Sequence, residues 1–243
     1  MPDSADLKKF LSIDIGGSHI KATVLDQEGK SIKPYEKIQT PSPASPDSVL
    51  DAVKTLTKDF PDFDYISVGF PGYVKDGTVY TAPNLGTDLW KKTDLQKLLK
   101  DALGKEAIVV NDADMQGMGV ISGKGFEMVI TLGTGFGTAF FKNGYLLPHL
   151  EIAHLPITKS NSYDTYLGDK ALHEIGDGRW NKRLKKVLII LDTVFNYDFL
   201  YIGGGNASHI NFKLDDNIKI VSNREGIKGG IRLWHQDESQ LHK

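Results

Sequence analysis

The sequence predicts an α/β protein of two similar lobes whose glycine turns face each other across a cleft. Apolar runs with strand character alternate along the chain with segments of helical spacing. Two strand–turn–strand units repeat, with Gly16 and Gly133 at matching points 117 residues apart, close to half of the 243 residues. The composition, 40% hydrophobic and 25% charged, is that of an ordinary globular chain, long enough for one large domain or two small lobes.

The first half of the chain predicts five strands and two helices. Apolar runs that end in glycine, proline or polar residues predict strands over 10–15, 20–25, 32–39, 65–70 and 107–110. Ser45 followed by Pro46 predicts a helix start, because serine caps helix N-termini and proline suits the first turn. The apolar residues with helical spacing after it are Val49, Leu50, Val53 and Leu56. Thr93 is predicted to cap a second helix, whose apolar stripe is Leu95, Leu98, Leu99 and Ala102.

The second half repeats the alternation. Strands are predicted over 127–132, from the following glycine turn to 141, over 199–202 and over 218–221. Asn143-Gly144 is typical of a hairpin turn. The strongest helical pattern runs from Trp180 to Phe195, and a last helix is predicted over 225–234.

Charge and composition exclude several classes of protein. The formal net charge of −2 gives no general attraction to nucleic acid or to an anionic membrane. The chain has no cysteine, which excludes disulfides and thiolate zinc sites. The polar segment Met1–Lys9 has no signal-peptide core, and no run approaches the roughly 20 apolar residues that span a bilayer. We therefore expect a cytoplasmic protein without membrane or nucleic-acid partners.

Asp14 ends an apolar strand just before a glycine pair. A carboxylate there is unfavourable unless it meets a cation or several donors, and glycines let backbone N–H groups approach an anion. One interpretation is that Asp14 holds a hydrated Mg²⁺ while Gly16, Gly17 and Ser18 contact a phosphate. The alternative is a hairpin turn whose aspartate caps its own backbone.

Two further glycine turns follow strands in the second half. Gly133, Thr134 and Gly135 offer a hydroxyl and backbone donors to the outer phosphates of a nucleotide or polyphosphate. The second turn could let a nucleobase or phosphate lie against the backbone, and its residues are Gly203, Gly204 and Gly205. Each turn could also serve only to reverse the chain.

Asn111 and Asp112 follow the strand over 107–110 and open a helix-like segment. Asp112 could accept the proton of an alcohol as a phosphoryl group is transferred to it. It could equally be a helix N-cap, and Asp114 is the competing carboxylate.

Other polar groups are candidate ligands of a small molecule. Glu151 and His154 could bind neighbouring hydroxyls, belong to a metal site, or lie in a surface loop. Asn84 could supply an amide to a sugar and Trp90 an aromatic wall, although a tryptophan is more often core. A run of cations in the strongest helix forms either its solvated face or a contact for a polyanionic phosphate donor: Lys182, Arg183, Lys185 and Lys186.

These segments together resemble the ROK sugar kinases, and the polyphosphate glucokinases among them most closely. The resemblance runs from Leu11 to Trp234 and keeps its motifs in order. They are 13–21 (IDIGGSHIK), 70–72 (FPG), 81–84 (TAPN), 110–114 (VNDAD), 132–137 (LGTGFG), 151–154 (EIAH), 202–205 (IGGG) and 226–230 (GIKGG).

The resemblance implies a two-lobed actin-like ATPase (ribonuclease H-like) fold with the active site in the interlobe cleft. It implies a small lobe over 1–112, a large lobe over 113–243 whose last helix returns to the small lobe, and a homodimer. Asp112 would be the catalytic base, with Asp14 near Mg²⁺. The hexose would be bound by Asn84, Asn111, Glu151 and His154. The phosphoryl donor would be bound by Asp14, Gly16, Gly17, Ser18, Lys21, Gly133, Thr134, Gly135, Gly203, Gly204 and Gly205.

The expected activity is transfer of a phosphoryl group from ATP or polyphosphate to the 6-hydroxyl of glucose or a related hexose. The chain lacks the cysteine-rich zinc motif of many ROK members, so no zinc is expected, and it has no room for the helix-turn-helix of the ROK repressors before Phe10. Ala153 stands where the family usually has glycine, which adds a methyl group to the sugar-binding motif. The alternatives are a sugar sensor without turnover and an actin-like ATPase that needs no sugar.

Overall fold

The computed structural model describes residues 8–222, 226 and 228–236. These residues divide into a first unit, 8–119 with 228–236, and a second unit, 120–222 with 226. The division falls near the end of the helix that begins at Asp112. The functional lobes over 1–112 and 113–243 stay a prediction.

The first unit is built on a five-stranded sheet of order β3-β2-β1-β4-β8. Its strands are β1 (Lys9–Ile15), β2 (His19–Asp26), β3 (Ser31–Gln39), β4 (Tyr65–Phe70) and β8 (Glu106–Asn111). β1 runs antiparallel to β2 and parallel to β4, which runs parallel to β8. A small sheet joins β5 (Val74–Lys75), β6 (Thr78–Val79) and β7 (Thr93–Asp94). The helices are α1 (Pro46–Thr57), α2 (Thr87–Trp90), α3 (Leu95–Leu103) and α4 (Asp112–Val120).

The two faces of the first sheet carry different residues because strand side chains alternate. Leu11, Ile13 and Ile15 are fully buried in a core shared with α1 and α3. On the other face, the Ser67 hydroxyl donates a hydrogen bond to the carbonyl of Gly230, the second residue of α7 (Gly229–Arg232). Asp14 follows the same alternation and therefore points to this second, more polar face.

The second unit has a sheet of order β11-β10-β9-β12-β13. Its elements are β9 (Phe126–Leu132), β10 (Phe136–Lys142), β11 (Tyr145–Leu146), α5 (Tyr163–Leu167), α6 (Asp169–Phe195), β12 (Phe199–Gly203) and β13 (Ile218–Ile220). Short 3-10 helices cover Ile152–His154 and Gly205–His209, and Leu233–His235 forms a third one in the first unit. Helix α6 packs fully buried Trp180, Leu184 and Leu191 on the sheet.

The predicted alternation of strands and helices is confirmed, with three differences. Asp94, not Thr93, caps α3, because its carboxylate accepts the N–H of Lys97 at 2.9 Å. The helical segment α6 begins at Asp169, before Trp180, and is kinked at Gly176, where the backbone is not helical and φ is 72°. The predicted range from Trp180 to Phe195 lies after this kink. The helix predicted over 225–234 falls partly outside the described residues, and α7 is its described part.

Within the described residues, no helix is both long enough and apolar enough to cross a membrane.

Candidate active site

The first unit brings two carboxylates to one end of its sheet. β1, β4 and β8 are neighbouring parallel strands, so their carboxyl ends meet at the same edge. Asp14 lies near the end of β1, and Asp112 directly follows β8. In α/β sheets this edge is the usual place for ligand binding.

Gly69 lets the two carboxylates share a face of the sheet. Asp14 and Gly69 are register partners on strands roughly 4.8 Å apart. A Cβ atom on Gly69 would stand 3.2 Å from the Cα of Asp112 and 3.1 Å from the Cε of Met115. The first turn of α4 therefore lies directly over Gly69, beside Asp14. From this stacking, we estimate that the two carboxylates lie on the order of 5–10 Å from each other.

Asp14 is paired with a cation of the adjacent strand. Its Oδ2 atom lies 3.3 Å from the Nζ atom of Lys21, its register partner on β2. The side chains of Asp14 and Lys21 are 25% and 40% exposed. Lys21 thus offsets the negative charge of Asp14 at the strand end.

The glycine turn after β1 is fixed by its neighbours. The N–H of Gly16 donates to the carbonyl of His19 at 3.0 Å, and the Thr40 hydroxyl donates to the carbonyl of Gly16 at 2.7 Å. A Cβ atom on Gly17 would lie 3.2 Å from the Cβ of Asn84, so this glycine allows the turn and the Asn84 loop to approach closely. The structure therefore brings Asn84 to the predicted phosphate turn.

A cavity of about 720 Å³ opens beside this turn. It is lined by Gly17, Ser18, His19, Asn84 and the segment 39–44, with Leu85 and Leu89 at its apolar side. Hydroxyl, amide and imidazole groups beside apolar residues are the groups that bind a neutral sugar.

Asn111 ties two of the predicted motifs together. Its Nδ2 atom donates to the carbonyl of Gly72 at 3.0 Å, and its Oδ1 atom accepts the N–H of Ala113 at 2.8 Å. A Cβ atom on Gly72 would lie only 2.0 Å from the carbonyl oxygen of Thr81, which leads to Asn84. Asn111 therefore holds the 70–72 turn and the start of α4 in place, and its contact with a hexose stays a prediction.

The competing interpretations at this edge are decided by burial. Asp112 is half-buried at the start of α4, whereas the side chain of Asp114 is 3% exposed and lies within the unit. Asp112 is therefore the more exposed of the two carboxylates, and its role as catalytic base stays a prediction. Trp90 is fully buried and its indole N–H donates to the carbonyl of Ala44 at 2.8 Å. It is a core residue, and the aromatic wall proposed for it is wrong.

The second unit carries the other glycine turn. The N–H of Gly133 donates to the carbonyl of Gly135 at 3.1 Å, which closes the turn between β9 and β10. A Cβ atom on Gly135 would lie 2.1 Å from Oδ1 of Asp164, the same oxygen that accepts the N–H of Phe136. The carbonyl of Gly133 accepts from the N–H of Asp169 at 2.8 Å and from the side chain of Asn206 at 3.2 Å. A Cβ atom on Gly133 would meet no atom within 4 Å, so this backbone has space for a ligand.

The three glycines after β12 have different reasons to be glycine. Gly204 has φ of 88°, and its Cβ atom would lie 2.2 Å from the carbonyl oxygen of Leu132. The nearest neighbour of a Cβ atom on Gly203 would be 3.7 Å away, an ordinary contact, and one on Gly205 would meet nothing within 4 Å. Gly203 is buried, so only the exposed Gly205 borders space that a nucleotide or phosphate could fill.

This difference predicts opposite results for two adjacent substitutions. Gly204→Ala should lower the free energy of unfolding by about 2–4 kcal/mol, because it combines a left-handed backbone with a clash. Gly205→Ala should change it by less than about 1 kcal/mol yet raise the KM for the phosphoryl donor, since its methyl group enters open space. Urea unfolding and donor titration measure both. Equal loss of stability in the two variants would contradict this assignment.

Glu151 lies between two histidines. Its Oε1 atom is 3.6 Å from Nε2 of His149, and its Oε2 atom is 3.8 Å from Nε2 of His154. The His149 side chain is only 5% exposed, compared with 64% for His154. The hydrogen bond with His149 lowers the pKa of Glu151 below its usual range, partial burial acts in the opposite direction, and the charges of both histidines lower it further. The sequence predicted Glu151 and His154 but missed His149, whose only signal was its place two residues before the glutamate.

We predict that His149→Phe raises the pKa of Glu151. Phenylalanine keeps most of the buried volume but removes the donor and the charge of His149, so burial, which raises the pKa, is opposed only by the charge of His154. His154→Phe should raise it less, because water screens that exposed pair. With the pKa depressed, this contact stabilises the fold above the unfolded pKa of Glu151 and is lost as pH falls through the folded pKa. A carboxyl NMR titration of both variants measures the pKa of Glu151. An unchanged pKa in His149→Phe would refute the role of His149 in lowering it.

No three histidine or acidic side chains converge as metal ligands in the part of the chain that the structure describes. The metal interpretation of Glu151 and His154 therefore gains no support. Mg²⁺ usually keeps several waters and uses one or two carboxylates together with substrate phosphates. The single, partly exposed carboxylate of Asp14 fits that mode of binding.

Comparison with known proteins gives a consistent result. The sequence profile of the ROK family matches residues 10–156, more than half of the chain. The polyphosphate glucokinase of Mycobacterium tuberculosis is 29% identical over 232 residues, 92% of this chain and 86% of that protein. The structure of the inorganic polyphosphate/ATP-glucomannokinase from Arthrobacter sp. strain KM has a TM-score of 0.82 at 30% identity, covering 94% of this chain and all of that one (100%).

A more distant structure supports the fold alone. The ROK family glucokinase from Streptomyces griseus, solved with glucose and AMPPNP, has a TM-score of 0.76 at 19% identity, covering 93% of this chain and 98% of that one. With these similarities, the predicted α/β fold of the actin-like ATPase class is confirmed.

Proposed function

The chain belongs to the ROK family and is a sugar kinase of the hexokinase type, and we propose that it transfers a phosphoryl group from ATP or polyphosphate to the 6-hydroxyl of glucose or a related hexose. The observation that carries this proposal is the pair of carboxylates, Asp14 and Asp112, on one face at the carboxyl edge of the first sheet. In protein kinases, one carboxylate holds the metal ion at the phosphates and another accepts the proton of the alcohol, and this pair could divide the work in the same way.

In the proposed reaction, Asp112 orients the hydroxymethyl group of the hexose. The sugar oxygen forms a bond to the terminal phosphorus, the bond between that phosphorus and the bridging oxygen breaks, and Asp112 receives the hydroxyl proton. A carboxylate can accept this proton because the hydroxyl becomes more acidic as its oxygen bonds to phosphorus in the transition state. The hexose is held by Asn84, Asn111, Glu151 and His154.

The phosphoryl donor is held by the remaining backbone groups and the small side chains of the glycine turns, because the N–H groups of Gly16 and Gly133 are already bonded to carbonyls within these turns. Gly16, Gly17 and Ser18 contact the transferred phosphate, and Lys21 holds the Asp14 carboxylate in place through their ion pair. Asp14 would hold Mg²⁺ through water, and the ion would supply positive charge that offsets the charge of the phosphoryl oxygens. The other donor contacts come from Gly133, Thr134, Gly135, Gly203, Gly204 and Gly205, among which Gly203 and Gly204 act through packing.

Ala153 is compatible with a sugar-binding role of its neighbours. It is 9% exposed in the 3-10 helix Ile152–His154, so its methyl group is largely covered by the second unit. We expect Ala153→Gly to change hexose affinity by less than about tenfold, the scale of one methyl group in a pocket.

One plate assay tests the proposal. Glucose, mannose and an N-acetylated hexosamine are each combined with ATP and with polyphosphate, with Mg²⁺ throughout, and sugar phosphate and released inorganic phosphate are measured. Sugar phosphate from glucose with either donor is the expected result. Hexose binding without sugar phosphate in any well would favour a sensor, and phosphate release unaffected by any hexose would favour an ATPase.

The homodimer and the cytoplasmic location stay predictions. Light scattering after gel filtration measures the first, and cell fractionation the second.

A further inference from the structure

The outward face of the second half of α6 carries a dense run of cations. Between positions 179 and 186 the helix has five basic residues and no acidic one. Trp180, Leu184 and Val187 are fully buried on the opposite side. The basic residues are Arg179, Lys182, Arg183, Lys185 and Lys186.

Two of the five cations are used within the unit. The Nη1 atom of Arg183 donates to the carbonyl of Tyr166 at 3.1 Å, and its guanidinium carbon lies 4.4 Å from the centre of that ring. The Nζ atom of Lys185 lies 4.6 Å from the centre of the Phe212 ring. These contacts explain two basic residues structurally and leave three to be explained.

The remaining three form what we call the cationic stripe: Arg179, Lys182 and Lys186. All are exposed, and none has an ion-pair partner among the described residues. Their spacing of three and four residues places them on one side of the helix over about 10 Å. The acidic residue before the stripe, Asp177, is 3.0 Å from Nδ1 of His209. Unpaired like charges side by side are unfavourable, so the stripe is not explained by stability.

A short path within the second unit connects the glycine turn to the stripe. The side chain of Asn206 donates to the carbonyl of Gly133, and the side chain of Asn181 donates to the carbonyl of His209 at 2.9 Å. Between these contacts lies only the 3-10 helix Gly205–His209. At roughly 2 Å per residue, the segment of α6 that carries the stripe lies on the order of 10 Å from the turn.

We propose that the cationic stripe binds the chain of inorganic polyphosphate whose phosphates next to the transferred one are held at Gly133–Gly135. This inference rests on the proposed function and makes polyphosphate a physiological donor. A long polyanion can contact the turn and the stripe at once, and each further contact is intramolecular. The triphosphate of a nucleotide is too short to do so. The stripe therefore favours polyphosphate over ATP.

The test is a triple variant, Arg179→Gln/Lys182→Gln/Lys186→Gln. The matched control is Lys97→Gln/Lys100→Gln on α3, because Lys97 and Lys100 already face Asp101 and Glu106. At low salt the stripe variant should have an about tenfold higher KM for medium-chain polyphosphate, since three exposed charges are lost. Its KM for tripolyphosphate, ATP and glucose should stay within about twofold of the wild-type value. The control should match wild type with every donor.

Binding of the same polyphosphate, measured by calorimetry, gives a readout that needs no turnover. Weaker binding by the stripe variant alone, with a flatter dependence on salt than wild type, supports the inference. The inference is overturned if the stripe variant and wild type bind polyphosphate equally or have the same KM for it. It is also overturned if the wild-type enzyme uses ATP but neither binds nor uses polyphosphate. In those cases the proposed function stands. Absence of sugar phosphate with both donors instead removes the proposed function.

Discussion

Replacing Asp112 with Asn is expected to lower kcat for hexose phosphorylation by about 100-fold or more while changing hexose affinity only a few-fold. The amide cannot accept the hydroxyl proton, but it has nearly the same shape. It can also still accept the N–H of Ala113, which the Asp112 carboxylate accepts at 2.8 Å. Initial rates with saturating donor give kcat, and calorimetric titration with glucose gives affinity.

Asp47→Asn is the matched control for this result. Asp47 is an exposed carboxylate in the first turn of α1, so its replacement removes the same charge from the first turn of a helix. It should leave kcat within about twofold of wild type. A kcat in Asp112→Asn equal to that of the control would exclude Asp112 as the base.

Glu127→Ala is expected to lower the free energy of unfolding by about 3–5 kcal/mol. The Glu127 side chain is fully buried, and its two oxygens accept four hydrogen bonds. The donors are the backbone N–H groups of Ser122, Gly123 and Lys124 and the hydroxyl of Tyr201. Alanine leaves all four without this acceptor and removes the volume that fills the site. Urea unfolding followed by circular dichroism measures the loss.

Two milder variants separate the contributions. Tyr201→Phe removes a single donor and should reduce stability by about 1–2 kcal/mol. Glu127→Gln keeps the shape of the side chain but turns an NH₂ group toward backbone N–H donors. Its loss of stability should therefore fall between those of Tyr201→Phe and Glu127→Ala. A Glu127→Ala variant within about 1 kcal/mol of wild type would show that water replaces the carboxylate at no cost.

The glycine motifs were predictable because their physical reason is local. A glycine pair after an apolar strand indicates a turn that approaches something closely, and the structure shows what is approached. Gly17 meets Asn84, and Gly72 meets the carbonyl of Thr81. The order of these motifs along the chain predicted the fold class, since each motif fixes where a strand ends.

Residues that act over long sequence distances escaped prediction. Glu127 stood at the predicted start of a strand, and nothing near it in the sequence announces that Tyr201, 74 positions later, donates to it. His149 was missed because its burial depends on tertiary packing that spacing does not reveal. The sequence left Trp90 undecided between a sugar wall and the core until its indole was found buried against Ala44.

Where two nearby residues of the sequence could take the same role, the sequence located the role only to within one or two positions. Thr93 and Asp94 are both good caps, and the carboxylate of Asp94 is the one that reaches the N–H of Lys97. Likewise, Asp112 and Asp114 are equivalent as sequence letters. Their different exposure follows from the packing of α4 over Gly69, which no local pattern contains.

The most direct test of phosphoryl transfer is the identity of the product. Glucose labelled with ¹³C at C6 is incubated with the protein, Mg²⁺ and either ATP or polyphosphate, and the ¹³C spectrum is recorded. The account predicts that the C6 signal shifts and is split by coupling to phosphorus, as in glucose 6-phosphate. An unsplit C6 signal while inorganic phosphate accumulates would contradict it, because the phosphoryl group would then have gone to water.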